Sequence, residues 1–210
     1  SNVDGVFNLL NLLRAKVYQK PLFVQISTDE VYGDVNEGEK NELSMLSPSN
    51  PYSATKAAAE MLLLSYARTY GIDYQIARST NNYGPRQYPE KLIPRIIHSL
   101  NNNQKIPLHG DGSYVRDWLY VEDNTDAIYK ICSSEKKNET WNISTYNYMK
   151  NIDVVKEVCR WYDIEDYEKH VQYTENRIGQ DYRYSISSEK IRDILKWTPM
   201  FEEKELYRFV

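Results

Sequence analysis

Residues 22–33, LFVQISTDEVYG, give the clearest indication of the fold. Residues 22–27 are a short apolar run of the kind that forms a buried strand in a parallel sheet. A hydroxyl side chain and two adjacent carboxylates, Thr28, Asp29 and Glu30, follow that run directly. Because ligands of open α/β sheets bind at the carboxyl ends of the strands, these residues predict a site at the edge of a sheet. The alternative, on position alone, is a polar exit from the strand into a turn.

Helical and strand patterns alternate along the rest of the chain. Apolar residues recur at helical spacing, and prolines or capping residues stand near several predicted helix starts. The predicted helices cover residues 2–17, run from Pro51 to Gly71, cover residues 92–100, and begin near Asp123, near Asp153 and at Ser187 or Ser188. The predicted strands cover residues 22–27, 74–77 and 141–143, and residues 33–50 form a loop. This alternation indicates βαβ units, and therefore an α/β protein with a parallel sheet.

The composition excludes several classes of protein. The 26 basic and 30 acidic residues give a net charge of -4, which argues against a nucleic-acid partner. No apolar stretch approaches the ~20 residues of a membrane span, and no signal pattern opens the chain. Two cysteines, Cys132 and Cys159, cannot make a disulfide framework or a four-ligand zinc site. We expect a soluble protein of a reducing compartment without a metal site, and both cysteines in the cores of their helices.

A tyrosine and a lysine stand four residues apart at the start of a predicted helix. Tyr52 and Lys56 share one helix face, and an ammonium group near a phenol lowers the pKa of that phenol. With 19 tyrosines in the chain, such a spacing also arises by chance, as it does for Tyr146 and Lys150. Tyr52 is the stronger candidate because its helix is well marked and follows the strand that ends in Ser27 and Thr28.

Four segments together resemble a known family. They are STDEVYG (27–33), PYSATK (51–56), NNYGPRQYPEKLIP (81–94) and RDWLYVED (116–123). The pattern is similar to that of the nucleotide-sugar 4,6-dehydratases, which belong to the extended short-chain dehydrogenase/reductase family. The similarity extends from residue 2 to about residue 201. It implies a Rossmann-type parallel sheet with a smaller C-terminal substrate-binding part, NAD as cofactor, and dTDP- or UDP-glucose as substrate.

The glycine-rich turn typical of dinucleotide-binding sheets is absent. The eight glycines form no G-x-G-x-x-G series, although such a turn normally follows the first strand. We therefore expect a chain that lacks the N-terminal part of the sheet. Residues 1–82 are predicted to be the remaining half of the NAD-binding domain. Residues 83–210 are predicted to be mainly the substrate-binding domain, interwoven with the last elements of the NAD-binding domain.

The resemblance implies a role for each residue of the predicted catalytic group. Thr28 would bond the sugar 4-hydroxyl, and Tyr52 would remove its proton. Lys56 would lower the pKa of the tyrosine and hold the nicotinamide ribose. Glu30 would take the C5 proton, and Asp29 would protonate the departing C6 hydroxyl. Related epimerases usually lack charged residues at the two carboxylate positions.

The resemblance also implies a set of binding residues. Asn82 would lie near the nicotinamide, as would Tyr52 and Lys56. The predicted substrate contacts are Asn81, Lys91, Leu92, Pro107, Leu108, His109, Arg116, Asn151 and Arg177. Two departures from the family pattern, NRIGQ at residues 176–180 and His109 where an aromatic residue is frequent, leave thymine or uracil open as the base.

The same resemblance implies a cytoplasmic homodimer that pairs through the first helix and the helix of Tyr52. Two alternatives remain open from the sequence. One is a 4-epimerase or decarboxylase of nucleotide sugars on the same scaffold. The other is a non-catalytic fragment that binds a nucleotide sugar or a partner subunit.

Overall fold

The computed structural model describes residues 2–15, 21–201, 206 and 208, and these form six α-helices and eight strands. The helices are α1 (Asp4–Ala15), α2 (Pro51–Tyr70), α3 (Leu92–Asn101), α4 (Val121–Ser133), α5 (Asn151–Arg160) and α6 (Glu189–Leu195). The strands are β1 (Phe23–Thr28), β2 (Tyr74–Ser79), β3 (Asn81–Tyr83), β4 (Ile106–His109), β5 (Val115–Tyr120), β6 (Glu139–Ile143), β7 (Tyr148–Lys150) and β8 (Val171–Thr174). Two 3₁₀ helices, Asp29–Tyr32 and Tyr167–His170, complete the regular structure of the described residues.

The first sheet contains three parallel strands in the order β1-β2-β6. Ile76 of β2 packs with Leu10 of α1 and Leu63 of α2. The next residue, Ala77, belongs to a different cluster, with Ile131 of α4. Because successive side chains of a strand point to opposite faces, helices cover this sheet on both sides. The predicted α/β class with a parallel sheet is confirmed.

The remaining strands belong to a smaller part built around α3 and α5. β5 pairs with β3 in parallel and with β7 antiparallel, and β4 pairs with β8. One apolar cluster joins these elements, with Ile96 of α3, Ile106 of β4 and Val158 of α5 fully buried. The division of the chain at residue 82 stays a prediction. β6 pairs within the first sheet and α6 packs against β6, although both follow residue 82 in the chain. This placement is consistent with the predicted interweaving.

The helix that carries Tyr52 has strong signals at both ends. Asn50 caps it: the Asn50 Oδ1 accepts the Ser53 backbone N–H at 2.9 Å, and the Ser53 hydroxyl lies 3.3 Å from the Asn50 N–H as its acceptor. Pro51 occupies the first turn, where its missing N–H costs nothing. Gly71 ends the helix in the left-handed conformation, with φ 63°, which glycine adopts without strain. These are the limits that the sequence predicts.

The loop at residues 33–50 has little regular structure, as predicted, and the C-terminal part of the chain holds it in place. The backbone N–H of Val35 donates to the Arg183 carbonyl at 3.0 Å, and that of Lys40 donates to the Ser185 carbonyl at 3.0 Å. The Arg183 guanidinium donates back to the Val35 carbonyl. The loop is therefore fixed by residues about 145 positions later in the chain.

Asp123 and Asp153, which stand near two predicted helix starts, do not cap their helices. Asp123 lies inside the first turn of α4, where it is buried, and its carboxylate accepts the backbone N–H groups of Met200 and Phe201 at 2.7 and 3.3 Å. Asp153 is the third residue of α5, and its carboxylate bonds Lys156. Both carboxylates favour a helix N-terminus electrostatically without capping it.

Other differences concern short strands and single residues. The prediction missed β3, β4, β5, β7 and β8. Cys159 is buried, as predicted, but Cys132 is exposed, which corrects the prediction that both are core residues. The first helix is described as Asp4–Ala15, and the predicted helical residue Val17 lies outside the described residues.

Candidate active site

The strand β1 ends in a tight 3₁₀ turn that presents two carboxylates. Thr28 is the cap of this turn, and its hydroxyl accepts the Glu30 backbone N–H at 3.4 Å. Gly33 follows with φ 73°, and a Cβ there would collide with the Ser47 carbonyl oxygen. Only glycine fits this position, so the turn after Asp29 and Glu30 is set by the local sequence.

Asp29 is the buried member of the carboxylate pair. It is 2% exposed, its Oδ1 accepts the Thr28 hydroxyl at 3.2 Å, and its Oδ2 has no partner among the described atoms. Burial, reinforced by the charges of Glu30 and Asp117, raises the pKa of Asp29 to about 8. A carboxyl group with this pKa is protonated at neutral pH and can donate a proton.

Glu30 occupies a different environment from its neighbour. It is half-buried and lines a cavity of about 730 Å³. Its Oε2 accepts hydrogen bonds from the Asn50 amide at 3.3 Å and from the Tyr184 hydroxyl at 3.4 Å. Adjacent residues therefore hold one carboxyl group in the interior and one at the cavity, which is the arrangement that separate acid and base roles require.

Tyr52 and Lys56 lie on the first two turns of α2, beside the end of β1. Tyr52 is 47% exposed. Burial and the charges of Glu30 and Asp29 raise its pKa, while its hydrogen bond with Thr28 lowers it. The Lys56 ammonium donates to the Ile26 carbonyl at 2.8 Å, and burial lowers the pKa of Lys56. In the protein alone, the pKa of Tyr52 is thus shifted upward, opposite to the lowering expected from the nearby Lys56 ammonium.

In the alternative pair, Tyr146 and Lys150, the tyrosine has a structural role. The Tyr146 hydroxyl accepts the Ser188 backbone N–H at 2.8 Å, at the start of α6, and the Arg192 guanidinium lies over its ring. Its hydroxyl is therefore engaged in packing α6, away from the end of β1. The role of Tyr52 as the reactive tyrosine stays a prediction.

A cavity of about 730 Å³ opens beside Glu30. All the predicted substrate contacts other than Thr28 line it, together with Asn82. They are Asn81, Lys91, Leu92, Pro107, Leu108, His109, Arg116, Asn151 and Arg177. They come from β3, α3, β4, β5, α5 and the segment after β8, so the chain brings together residues that are nearly 100 positions apart. Thr28, Asp29, Tyr52 and Lys56 are not among the described residues that line this cavity.

Several other residues line the same cavity, and the sequence predicted no substrate contact for them. They are Asn50, Gln87, Glu90, Arg95, Trp118, Thr174, Ile178, Gly179, Gln180 and Tyr184. Arg95 lies four residues after Lys91, so helical spacing alone would have placed both on one face of α3. Tyr184 stands in no motif, and nothing in the sequence indicates its contact with Glu30.

A buried ion pair fixes the elements that meet at the end of β1. The Arg78 guanidinium of β2 bonds the Glu60 carboxylate of α2 at 2.5 Å, and both side chains are almost fully buried. The Ser27 hydroxyl of β1 donates to the same carboxylate. Arg78 also donates to the Tyr32 hydroxyl, within the 3₁₀ turn. One network therefore links β1, β2, α2 and the turn of Asp29 and Glu30.

Polar atoms at the cavity fit a nicotinamide cofactor. Asn82 donates its amide N–H to the Thr80 carbonyl at 3.0 Å, and its Oδ1 is a buried acceptor without a partner among the described atoms. Tyr52 and Lys56 lie on α2, where the Lys56 ammonium bonds the Ile26 carbonyl of β1 and Tyr52 is half-exposed. A buried acceptor requires a donor, so these residues suit the amide and ribose of a nicotinamide nucleotide.

The described residues contain neither a metal-ligand cluster nor a helix suited to a membrane. Among these residues, no three His, Cys, Asp or Glu side chains cluster as metal ligands would. Within the same part of the chain, no helix combines the length and the apolar character that crossing a membrane demands.

Comparison with known proteins gives consistent matches. A family model described as GDP-mannose 4,6 dehydratase matches residues 1–209. The dTDP-glucose 4,6-dehydratase of Neisseria gonorrhoeae is 38% identical over 218 residues, which cover 95% of this chain and 63% of the relative. A trifunctional Arabidopsis thaliana enzyme, whose name includes UDP-glucose 4,6-dehydratase, is 42% identical over 197 residues, covering 92% of this chain and 29% of that protein.

A solved structure agrees with this match. The dTDP-glucose 4,6-dehydratase of Bacillus anthracis in complex with NAD superposes with a TM-score of 0.89 at 38% identity, covering 97% of this chain and 64% of that one. The likeness to this NAD-bound enzyme bears out the predicted Rossmann-type fold. The chain spans about 60% of the length of the dTDP-glucose dehydratases it matches.

Proposed function

Because the chain belongs to the family described as GDP-mannose 4,6 dehydratase, we propose that the protein dehydrates a nucleotide-activated glucose to the 4-keto-6-deoxy sugar, with NAD as cofactor. The substrate is dTDP- or UDP-glucose, and the reaction is that of a lyase. The observation that carries this proposal is the carboxylate pair. Asp29 is buried with a raised pKa, whereas its neighbour Glu30 lines the cavity.

The first step is oxidation at C4 of the sugar. Thr28 orients the 4-hydroxyl, and Tyr52 takes its proton. When bound, NAD would supply hydride acceptance at C4 and hydride donation at C6. Tyr52, Lys56 and Asn82 would hold its nicotinamide half. The raised pKa of Tyr52 in the protein alone means that the phenol needs a nearby positive charge to ionise near neutral pH.

The elimination step uses the two carboxyl groups in opposite senses. The 4-ketone makes the C5 proton acidic, and Glu30 accepts it from the cavity side. Asp29, which is protonated at neutral pH because of its raised pKa, donates a proton to the C6 hydroxyl, which leaves as water. Glu30 then returns the proton to C5, and the product is a 4-keto-6-deoxy sugar with no net redox change.

Each alternative function needs fewer catalytic groups than the site contains. A 4-epimerase needs oxidation and reduction at C4 but no acid for a departing hydroxyl. A non-catalytic binding fragment needs neither carboxyl group. A buried carboxyl group with a raised pKa next to Glu30 at the cavity therefore supports dehydration over these alternatives.

The proposal also includes a homodimer in the cytoplasm. α1 and α2 pack together and expose large apolar side chains, among them Phe7, Leu9, Leu12 and Met61. Contiguous exposed apolar surface is typical of a protein interface. Pairing these two helices with those of a second copy would cover it.

Product analysis tests the proposed reaction directly. The full-length protein is incubated with NAD and with dTDP-glucose or UDP-glucose, and the nucleotide sugar is analysed by mass spectrometry. Dehydration lowers the mass of the sugar nucleotide by one water, whereas epimerisation leaves it unchanged. An unchanged mass with a new C4 configuration would replace dehydration by epimerisation, and no change of either substrate would favour a binding protein.

A further inference from the structure

The turn that presents Asp29 and Glu30 also contains a tyrosine to which the proposed chemistry gives no role. Tyr32 is the last residue of this 3₁₀ helix, and its side chain is 1% exposed. It is not among the described residues that line the cavity. A buried polar side chain needs hydrogen-bond partners, and those of Tyr32 lie in the sheet behind the turn.

The Tyr32 hydroxyl bridges two strands of the first sheet. It accepts a hydrogen bond from the Arg78 guanidinium of β2 and donates one to the Asn142 Oδ1 of β6 at 2.9 Å. Arg78 and Asn142 face each other in the register of these strands. Burial raises the pKa of Tyr32, so the phenol stays neutral and keeps the proton that it donates. One hydroxyl therefore ties the turn to both strands.

The two partners of this hydroxyl are themselves held in place. The Arg78 Nε and Nη2 donate to the Glu60 carboxylate at 3.1 and 2.5 Å. Asn142 is fully buried, and its amide donates to the Lys40 carbonyl at 3.1 Å. Because a fully bonded buried network is rigid, the Tyr32 hydroxyl has a fixed reference in the sheet.

The hydrogen bonds within the turn are few and long. The Thr28 hydroxyl accepts the Glu30 backbone N–H at 3.4 Å, and the Gly33 N–H donates to the Glu30 carbonyl at 3.1 Å. These bonds shape the turn, but neither of them joins it to β2 or β6. The bridge through Tyr32 supplies that attachment.

The ring of Tyr32 has contacts that do not depend on its hydroxyl. It packs with Val31, Ala57 and Ile186 in one buried apolar cluster, and the Arg78 guanidinium carbon lies 4.8 Å from its centre. Tyr32→Phe keeps the ring and removes the bridge. This substitution therefore separates the position of the turn from the packing of the core.

We propose that Tyr32 is a positioning residue for the elimination step, because its hydroxyl, held between Arg78 and Asn142, fixes the turn that presents Asp29 and Glu30. This inference rests on the proposed function, since it takes the two carboxyl groups as the acid and the base. It assigns a role in the reaction to a residue that touches neither substrate nor cofactor.

Hydrogen exchange measures the attachment of the turn without requiring activity. In full-length Tyr32→Phe, the amide hydrogens of residues 29–33 should exchange about 10-fold faster than in the wild type, which corresponds to the loss of one buried hydrogen bond. Exchange in α5, which packs in the smaller part of the molecule, should stay unchanged.

Turnover with NAD and dTDP- or UDP-glucose measures the effect of that attachment on the reaction. Elimination by Tyr32→Phe should be about 10- to 100-fold slower, because a displacement of about 1 Å is enough for such a loss. Oxidation at C4 should continue, since Tyr52 and Lys56 lie on α2, which has its own caps, and the trapped 4-keto-glucose nucleotide should accumulate. KM should change by less than about twofold, because Tyr32 does not line the cavity.

Tyr66→Phe is the matched control. The Tyr66 hydroxyl donates to the Asn11 Oδ1 at 3.0 Å, between α1 and α2, so this variant also loses one tyrosine hydrogen bond. Its exchange in residues 29–33 and its turnover should match the wild type.

Asn142→Ala removes the acceptor of the bridge and applies the same test from the other side, including the case in which Tyr32→Phe folds poorly. Since both substitutions break one bond, the double variant should eliminate no more slowly than the slower single variant. Additive losses would contradict a shared bond and overturn the inference.

The inference is also wrong if Tyr32→Phe leaves the exchange of residues 29–33 at the wild-type rate, or if faster exchange leaves elimination unchanged. Equal losses of oxidation and elimination would show a general loss of structure and would overturn it too. If the wild type dehydrates neither nucleotide-glucose, the proposed function fails. Exchange of residues 29–33 then decides separately whether Tyr32 anchors the turn.

Discussion

At the scale of single residues, the two adjacent carboxyl groups differ more than their sequence suggests. Asp29 is enclosed, with one oxygen on the Thr28 hydroxyl and one without a partner. Glu30 accepts bonds from Asn50 and Tyr184 at the cavity. The sequence indicates that both residues stand at a strand end, but their separate environments depend on Asp117, Asn50 and Tyr184, which no local pattern connects with them.

Substitution of Glu30 should separate the two halves of the proposed reaction. In Glu30→Gln the near-isosteric amide cannot take the C5 proton, so dehydration should slow by about 10²- to 10⁴-fold. Oxidation at C4 should continue, and the 4-keto-glucose nucleotide should accumulate. Trapping of the ketone and deuterium uptake at C5 in heavy water measure the two steps. Tyr52→Phe is the matched variant, and it should form no ketone.

Dehydration by Glu30→Gln at the wild-type rate would show that another group is the C5 base. Ketone formation by Tyr52→Phe would show that Tyr52 does not accept the 4-hydroxyl proton. Either result removes the corresponding role without affecting the other.

The raised pKa of Asp29 predicts a pH-dependent cost to stability. Its folded pKa of about 8 exceeds its ordinary value of 3.8, so folding favours the protonated form. This contribution is fully present below about pH 4 and is lost as the pH rises to about 8, at up to about 1.4 kcal/mol per pH unit. Asp29→Asn has no ionisable group at this position, so it does not undergo this loss. The free energy of unfolding of Asp29→Asn minus that of the wild type should therefore increase from pH 5 to pH 8.

Urea unfolding of the wild type and Asp29→Asn at several pH values measures this difference. The other groups that act on Asp29, namely Glu30, Asp117 and Arg116, are the same in both proteins and largely cancel. A difference in unfolding free energy that stays constant between pH 5 and pH 8 would mean that Asp29 titrates normally.

At the scale of elements, the long helices and the central strands follow from the sequence, and the short strands do not. α2 has a capping box, a proline in its first turn and a terminal glycine, and β1 contains a short apolar run. β4 has four residues, one of them a proline, and it pairs with β8 about 65 positions away. Strands this short take their conformation from distant partners, which local periodicity cannot reveal.

The cap of α2 also contributes to the site, which gives a prediction at this scale. Asn50 caps the helix through its Oδ1 and donates through its amide to Glu30. Asn50→Ala should lose about 1 kcal/mol of stability as well as the bond to Glu30. Asn50→Ser should retain the cap but lose that bond, so its melting temperature should stay near wild type while turnover falls roughly fivefold.

Thermal unfolding and initial-rate assays of the two variants separate these effects. Equal activity of Asn50→Ser and wild type would indicate that the 3.3 Å contact with Glu30 does not influence the base. Equal stability of Asn50→Ala and wild type would show that the Asn50 cap does not contribute to stability.

At the scale of the whole molecule, the proposed assembly depends on α1 and α2. The full-length protein should be a dimer at micromolar concentration, because the exposed apolar side chains of these helices would otherwise face water. Met61→Glu places a charge in the proposed contact and should shift the protein toward monomers. Light scattering measures both proteins. A monomeric wild type would contradict the proposed dimer, and a dimeric Met61→Glu would move the contact elsewhere.

The attachment of the loop at residues 33–50 has a consequence for the order in which the molecule is made. The contacts that fix this loop come from Arg183 and Ser185, whereas Asp29 and Glu30 immediately precede it. During synthesis from the N-terminus, β1 and β2 are translated long before Arg183 and Ser185 leave the ribosome. Contacts of such large sequence separation form late and slow folding. The turn of Asp29 and Glu30 is thus translated about 150 residues before the segment that completes its surroundings.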